Sequence, residues 1–475
     1  EIYGVIYGSN EPSAPIKDAL TLEEYTTKRA GSFSRTECEV IYRLARDYKV
    51  YLEKRGYTDN NFISRELLKN VNKLPTYSLI VLDEVQDMTE INLTLMTELT
   101  RKLFVVGDAL QMINPSYFSF AYLKRLMYRE DVTDVKELQN NYRNTKKITE
   151  IIEELGKINV QKFGTHSFVL KGVSVDTEHK TQAVKVNGKG FIEELKAKKY
   201  GDFTLIVPTA REKANMRKVL GNREILTVSE IKGLERDTVI LYNVLSSNYD
   251  KWETLERITV NRKTADENSV YRYYFNLLYV GISRAKSNVY VYEEREVPTF
   301  RDFFLRQFTS CSVKEAIRRL DDVLSVKEIE EDELLERIKK FISLGQYENA
   351  RITALNLDDE IKRQESLIRI DVSENYVRYG SYREAGIRYW EKGLYEDARE
   401  VFRLSGDLKL IEFMDASLKN DGGALDYDIV RFYTELEGNE VAQKLILDTL
   451  KRDLLELKEN QKTLGNKLKA LKEKR

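Results

Sequence analysis

The chain has 475 residues, a length that indicates two to four domains and excludes one small module. Its 77 Lys and Arg residues against 78 Asp and Glu residues give a net charge of -1, which excludes a globally basic nucleic-acid coat but not a local basic face. A hydrophobic fraction of 42%, with only 6 Pro and 23 Gly, excludes a disordered or collagen-like chain. We therefore expect a globular, soluble protein.

Cysteine and histidine are scarce. Cys38 and Cys311 cannot form a disulfide framework, and His166 and His179 lack the spacing of metal ligands. No apolar run reaches about 18 residues, so we expect no membrane span. This composition fits a reduced, cytoplasmic location. Because the chain starts with Glu1 and shows no signal peptide, we expect it to begin inside a longer protein.

The first predicted elements are helical. Between 36 and 70, charged residues surround apolar residues at helical spacing, so we assign residues 1–75 to a helical segment. The predicted apolar stripe consists of Val40, Ile41, Leu44, Tyr48, Tyr51 and Leu52.

Short apolar runs then recur, each bounded by Asp, Gly, Pro or Asn. They lie at 77–82, 103–106, 203–207, 225–228, 239–244 and 289–292. Strands buried on both faces are continuously apolar, so these runs predict parallel sheets with crossover helices. This pattern of short apolar runs separated by helical sequence weakens at 157–190. The predicted fold class is α/β, with parallel-sheet domains at 76–137 and 138–311.

Beyond residue 312 the pattern is entirely helical, and a motif Gly-x-Tyr-x-x-Ala starts at Gly345, Gly380 and Gly393. Gly permits a tight turn between antiparallel helices, Tyr wedges between them, and Ala allows close approach. We predict tetratricopeptide-like repeats over 312–436, with an ordinary helical bundle as the alternative. A 3,4 alternation of Leu predicts a long amphipathic helix over 437–475.

Polar residues follow several of the predicted strands. Asp83 and Glu84, within the string YSLIVLDEVQD, follow the apolar run of the strand, at the edge where ligands bind in open α/β sheets. One carboxylate can hold Mg²⁺ and the other can activate water for attack on phosphorus, although an acidic turn is the alternative. Gln111 follows the second strand at the same edge and can sense a phosphate. Arg143 and Arg284 offer planar guanidinium groups for phosphate oxygens.

Five strings in order, DEVQD, GDALQMIN, NYRNT, IKGLERD and YVGISRAK, resemble motifs II to VI of UvrD-like superfamily 1 helicases. Within these helicases, the sequence resembles a subgroup in which tetratricopeptide-like repeats follow the motor domains. This resemblance implies an ATP-dependent helicase or translocase with two RecA-like domains, the first incomplete here. It further implies that these domains close on ATP and Mg²⁺ while single-stranded DNA runs across both.

The resemblance also implies a role for individual residues. Asp83 would hold Mg²⁺, Glu84 would activate water, and Gln111 would report the γ-phosphate. Arg143 and Arg284 would act as arginine fingers. The nucleotide would be bound by Tyr142, which stacks on adenine, by Gly233, and by Glu235 near the ribose. Bases would stack on Tyr117, Phe118 and Phe120, for which core packing is the alternative.

The sequence departs from this family in two respects. It contains no GxxxxGK[ST] loop to cradle phosphates, so we expect a C-terminal fragment that is inactive by itself. The spacing from motif IV to motif VI leaves no room for a large accessory insertion, which puts unwinding in doubt but not translocation. Two alternatives stay open: an RNA-directed motor, and a non-catalytic protein whose repeats recruit an unknown protein partner.

Overall fold

The computed structural model describes residues 1–11, 15–30, 33–114, 141–163, 181–198, 202–257, 269–295, 307–324 and 329–406, and five single positions between 115 and 140. The chain divides into two compact units. The first contains residues 1–221 and 225–328, and the second contains residues 222–224 and those from 329 onward. The helix predicted over 437–475 lies outside the described residues.

The N-terminal part of the first unit contains the helices α1 (Leu22–Lys28), α2 (Arg35–Arg55), α3 (Asn60–Lys69) and α4 (Glu90–Leu99). The helical pattern predicted at 36–70 is thus two helices. Gly56 ends α2 with a left-handed φ of 66°, a conformation that suits Gly. The Asp59 side chain then accepts hydrogen bonds from two backbone amides and caps the start of α3.

The apolar stripe predicted on α2 is partly wrong. The residues that α2 buries are Cys38, Ala45 and Leu52. The predicted stripe residues Val40, Leu44 and Tyr51 are instead exposed. Positions 38, 45 and 52 recur every seven residues on one helical face, which packs against the N-terminal residues of the chain. The other predicted residues lie on the buried side: Ile41 and Tyr48 are partly buried against this core, and Leu52 is buried.

Two parallel sheets form the centre of the first unit. The small sheet pairs β1 (Ile80–Leu82) with β2 (Leu103–Val105), with Val81 opposite Phe104. The large sheet contains β3 (Gln182–Asn187), β4 (Thr204–Val207), β5 (Ile225–Thr227), β6 (Arg236–Tyr242), β7 (Ala285–Tyr292) and β8 (Thr309–Ser312). Its strand order is β5-β4-β6-β7-β3-β8, and each described pair is parallel. The predicted α/β class is confirmed.

The sequence patterns missed two strands, β3 and β8. Strand β3 lies in the stretch where the apolar pattern weakens, because the half-buried Lys185 interrupts its buried valines. Strand β8 is a short edge strand with the sequence TSCS, which has no apolar run to detect. Both are parallel partners of strands found elsewhere in the chain, so only the tertiary pairing reveals them.

Helices precede, connect and follow the strands of the large sheet. They are α5 (Lys146–Phe163), α6 (Phe191–Ala197), α7 (Ala210–Leu220), α8 (Val228–Ile231), α9 (Tyr249–Arg257), α10 (Ser269–Ser283) and α11 (Val313–Leu324). The apolar face of α11 places Ala316 and Leu320 in the core of this sheet. The structural division therefore falls after α11, whereas the sequence pattern placed the domain boundary before it, at 312.

The described part of the second unit is helical. Its helices are α12 (Glu331–Ser343), α13 (Tyr347–Ala354), α14 (Glu360–Asn375), α15 (Tyr382–Glu391) and α16 (Tyr395–Ser405). The predicted turns are present: Gly345, Gly380 and Gly393 have φ values of 69°, 73° and 79°, which favour Gly. The motif alanines Ala350, Ala385 and Ala398 are fully buried, as close helix packing requires.

Candidate active site between the two sheets

Asp83 and Glu84 directly follow β1, as predicted, and both side chains are exposed. The Glu84 amide donates a hydrogen bond to Asp83 Oδ1 at 2.8 Å. Glu84 has a φ of 52° and a ψ of 40°, a left-handed conformation that is costly for a residue with a side chain. This turn presents two adjacent carboxylates at the end of the strand.

A buried amide supports this turn. Gln86 is fully buried, and its Nε2 donates to the Glu84 carboxylate. Its Oε1 accepts a hydrogen bond from the Asp108 amide at 3.0 Å, so one side chain joins the ends of β1 and β2. Gly107 leaves room for this contact, because a Cβ there would lie 2.5 Å from Gln86 Oε1. The sequence analysis missed Gln86, although it stands within the string DEVQD.

The turn beyond β2 holds Gln111. Asp108 Oδ1 accepts from the Leu110 amide at 2.9 Å, and Asp108 Oδ2 accepts from Gln111 Nε2 at 3.0 Å. The amide of Gln111 is thereby oriented with its oxygen available to a donor. Arg284, which directly follows α10, donates from Nη2 to this oxygen at 2.9 Å. Two predicted site residues, 173 positions apart, are thus in direct contact.

Arg284 is buried with only 2% of its surface exposed. It also donates to the Val280 carbonyl and to Ser283 Oγ at 3.3 Å. Burial lowers the pKa of Arg284 to about 10, the nearby positive charge of Arg143 contributes to this, and the negative charges of Glu235 and Glu84 oppose it. The guanidinium remains charged at neutral pH, because this pKa still lies well above 7.

Arg143 and Glu235, two further predicted residues, form an ion pair with each other, and each is about one-third exposed. Lys286 lies 4.0 Å from Glu235 on the same side. Arg143 is placed here because the buried Asn144 donates from Nδ2 to the Ser283 carbonyl at 3.2 Å, beside Arg284. The Glu235 carboxylate is therefore engaged by an arginine where the sequence predicted a ribose contact.

A second contact joins the string DEVQD to the string IKGLERD. Lys232, which follows α8, donates to both carboxylate oxygens of Asp87 at 2.7 and 2.5 Å, and both side chains are largely buried. The next residue, Gly233, adopts a φ of 79° that suits the turn. Neither Asp87 nor Lys232 was predicted as a site residue. Their occurrence in DEVQD and IKGLERD was the available signal.

Only some of the remaining predicted site residues lie within the described part of the chain. Tyr142 is 72% exposed beside Arg143. Tyr117, Phe118 and Phe120 lie outside the described residues. Within the described ranges, no group of three or more His, Cys, Asp or Glu side chains is arranged to enclose a metal. The exposed carboxylates of Asp83 and Glu84 nevertheless fit Mg²⁺, which binds through one or two carboxylates together with water and phosphate.

Among the described residues, no helix is both long enough and apolar enough to cross a bilayer.

Several known proteins are similar to this chain. The human TPR and ankyrin repeat-containing protein 1 is 24% identical in an alignment of 402 residues that covers 69% of this chain but 13% of that protein. A solved PRRSV helicase is 18% identical with a TM-score of 0.29, over 50% of this chain and 37% of that one. The C-terminal domain of a possible DNA helicase from Lactobacillus plantarum is 18% identical with a TM-score of 0.22, over 36% of this chain and 98% of that one.

A family match covers the region that contains the site. Residues 32–293, just over half of the chain, match the family described as the viral superfamily 1 RNA helicase core domain. The matched segment includes both sheets up to β7 and every predicted site residue. This chain belongs to the viral superfamily 1 RNA helicase core domain family.

Proposed function

We propose that this chain supplies most of the catalytic cleft of an ATP-driven motor that moves along a single nucleic-acid strand. The observation that carries the proposal is the 2.9 Å hydrogen bond from Arg284 to Gln111. It joins a buried guanidinium of the large sheet to an amide of the small sheet, near the charge of Glu84. In such a cleft, one domain completes the phosphate site of the other.

Each residue at this edge has its own task in the proposal. Asp83 holds Mg²⁺, and Mg²⁺ when bound neutralises charge on the phosphate oxygens. Glu84 accepts the proton of the attacking water, while Gln86 orients its carboxylate. Arg284 donates to the γ-phosphate oxygens as charge develops on them. Gln111 senses the γ-phosphate through the same amide that now meets Arg284.

Around the nucleotide, Arg143 is a second donor to phosphate, and Tyr142 stacks on adenine. A contact of Glu235 with the ribose requires its ion pair with Arg143 to open, so we propose that nucleotide entry rearranges this pair. The exposed turn at Gly233 leaves room for the sugar, because nothing lies within 4 Å of a Cβ built there.

The phosphate-cradling loop is proposed to come from outside these 475 residues. Parallel sheets normally have both faces covered, yet the small sheet exposes apolar residues on one face. Val81 is 61% exposed and Phe104, opposite it, is 59% exposed. Additional chain packed on this face would complete a RecA-like domain and bring the loop to Asp83. In that case ATP binding requires the longer protein.

For the nucleic acid, we propose single-stranded DNA, because the five motif strings resemble UvrD-like helicases. RNA is the second candidate, and the description of the matching family as an RNA helicase core favours it. The helical unit is proposed to hold tetratricopeptide-like repeats for a protein partner, in line with the name of the human relative. Stimulation of ATP hydrolysis by oligo-dT against oligo-U separates the two nucleic acids.

The test of hydrolysis is Glu84→Gln in the full-length protein. We expect turnover to fall by about 10² or more, since only the proton acceptor is lost, while ATP affinity stays within a few-fold. Glu98→Gln on α4, an exposed glutamate away from the strand ends, is the matched control and should leave both quantities unchanged. Equal loss of ATP binding and hydrolysis in Glu84→Gln would contradict the proposed roles.

A further inference from the structure

Helix α10 contacts the turn that carries Gln111 at a second place, separate from Arg284. Asn276 Nδ2 donates to the Met112 carbonyl at 2.9 Å and lies 3.4 Å from the Ala109 carbonyl. Arg272, one helical turn earlier, donates from Nη2 to the same Ala109 carbonyl at 3.2 Å. The two side chains therefore hold the backbone on both sides of Gln111.

These contacts are enclosed. Asn276 is fully buried, and its Oδ1 accepts from Asn159 of α5 at 3.4 Å, which directs Nδ2 toward the two carbonyls. Leu110, within the turn, is buried and faces α5 next to Gly156. A buried carbonyl that loses its hydrogen-bond donor destabilises the folded state. These hydrogen bonds therefore favour the observed position of the turn against α5 and α10.

One rigid element thus holds the turn at two points. Arg272 and Asn276 donate hydrogen bonds to the backbone of the turn. Arg284, directly after the same helix, donates to the Gln111 side chain. Seven helical residues separate Asn276 from Arg284, or about 10 Å of helix rise. Because one continuous helix ends directly before Arg284, we expect a shift of Arg284 to move the turn as well.

We propose that Asn276 and Arg272 are positioning residues that couple the nucleotide site to the chain beyond Gln111, where the predicted base-stacking aromatics lie. This inference rests on the proposed function. In that proposal neither residue contacts nucleotide or nucleic acid. Their removal should leave the phosphate site assembled but break the link through which nucleic acid stimulates hydrolysis.

The experiment uses full-length Asn276→Leu and Arg272→Met, with Tyr273→Phe, exposed on the same helix, as the matched control. ATP affinity, ATP turnover without nucleic acid, and turnover with saturating oligo-dT or oligo-U are measured. We expect the first two to stay within about twofold, and the stimulation factor to fall about tenfold, a typical size for coupling between sites. Unchanged stimulation, or equal loss of basal and stimulated turnover, overturns the inference.

Hydrogen exchange of the amides of residues 109–112 separates this inference from the proposed function. In Asn276→Leu and Arg272→Met these amides should exchange at least about tenfold faster, while β2 and β6 keep their protection. This readout needs no ATPase activity. If the wild-type protein hydrolyses no ATP, the proposed function fails, yet faster exchange still supports the positioning role. Unchanged exchange in both variants overturns that role.

Discussion

Glu84 combines the chemical task of the site with a strained backbone. Its φ of 52° is left-handed, and Asn243 is the one other non-glycine residue of the described chain with a positive φ. Such a conformation costs about 1–3 kcal/mol and persists only where the surroundings hold it. Val85 supplies part of this support by donating its amide to the Val106 carbonyl at 3.0 Å, and Gln86 supplies the rest.

At this scale, the sequence predicts the residues whose chemistry is visible in a local string. Asp83 and Gln111 were found because each follows an apolar run. Gln86 and Lys232 were not, because the strings DEVQD and IKGLERD mark these residues but do not reveal their partners, which are 22 and 145 positions away. Whether the predicted residues perform their assigned roles stays a prediction.

Gly107→Ala tests the Gln86 support. The new Cβ would overlap Gln86 Oε1 and lie 2.7 Å from Val85 Cγ1, so the buried amide must move away from Glu84. We expect a loss of about 1–3 kcal/mol in unfolding free energy and a fall in ATP turnover larger than any loss in ATP affinity. Urea unfolding and ATPase assays measure these changes.

Gly156→Ala is the control for this substitution. It lies within α5, and the nearest atom to its Cβ would be Leu110 Cδ1 at an ordinary 3.8 Å. Ala in a helix interior should stabilise the protein by roughly 0.5–1 kcal/mol. Equal stability of Gly107→Ala and wild type would show that the close approach at Gly107 is not required.

At the scale of elements, the sequence predicts strands that are buried on both faces. Strand β4 is fully buried and was found, whereas β8, an exposed edge strand, was not. The buried face of α2 was predicted only in part, because its contacts with the N-terminal residues decide which apolar residues are covered. The repeat turns were found, since a positive φ at Gly345 is demanded locally.

Glu293, directly after β7, should make the free energy of unfolding depend on pH. The Glu293 carboxylate accepts from the Leu245 amide at 3.1 Å and the Ser246 amide at 2.8 Å. Burial nevertheless raises the pKa of Glu293 to about 7, and the charge of Glu212 contributes. The folded state therefore binds more protons than the unfolded state between an ordinary carboxyl pKa and about 7. The free energy of unfolding should fall as pH rises through this window.

Glu293→Gln removes this titration while keeping an acceptor oxygen. We expect the variant to be more stable than wild type by roughly 1–3 kcal/mol at pH 8, and the difference to vanish near pH 4.5. Urea unfolding at both pH values measures this. Glu256→Gln, an exposed glutamate on α9, should show no such pH-dependent difference. A constant difference at both pH values would contradict the assignment.

At the scale of the first unit, two sheets are tied by contacts that are distant in sequence. The Asp87–Lys232 ion pair joins the segment after β1 to the segment after α8, with side chains 25% and 11% exposed. Removing one partner of a buried ion pair leaves the other charge buried without a counter-charge. This costs more free energy of folding than the loss of a surface pair. This pair should therefore contribute to holding the two sheets together.

A double-mutant cycle of Asp87→Asn and Lys232→Met tests how much this ion pair stabilises the fold. We expect a coupling free energy of about 1–3 kcal/mol in unfolding, so that the double variant is little worse than either single one. The Lys198–Asp321 pair, of similar length at 2.7 Å but with both side chains 39% exposed, is the control and should couple by less than about 1 kcal/mol. Equal coupling in both pairs would remove the special role of Asp87.

The central claim is that Arg284 completes a phosphate site from the opposite sheet. The most direct measurement is ATP turnover and nucleotide affinity of full-length Arg284→Lys, with Arg143→Lys in parallel and saturating single-stranded nucleic acid. Lysine keeps the charge but loses the planar fork, so we predict a fall in turnover of about 10³ with nucleotide affinity nearly unchanged. Near-normal turnover in both variants would contradict the claim that the large sheet completes the active site.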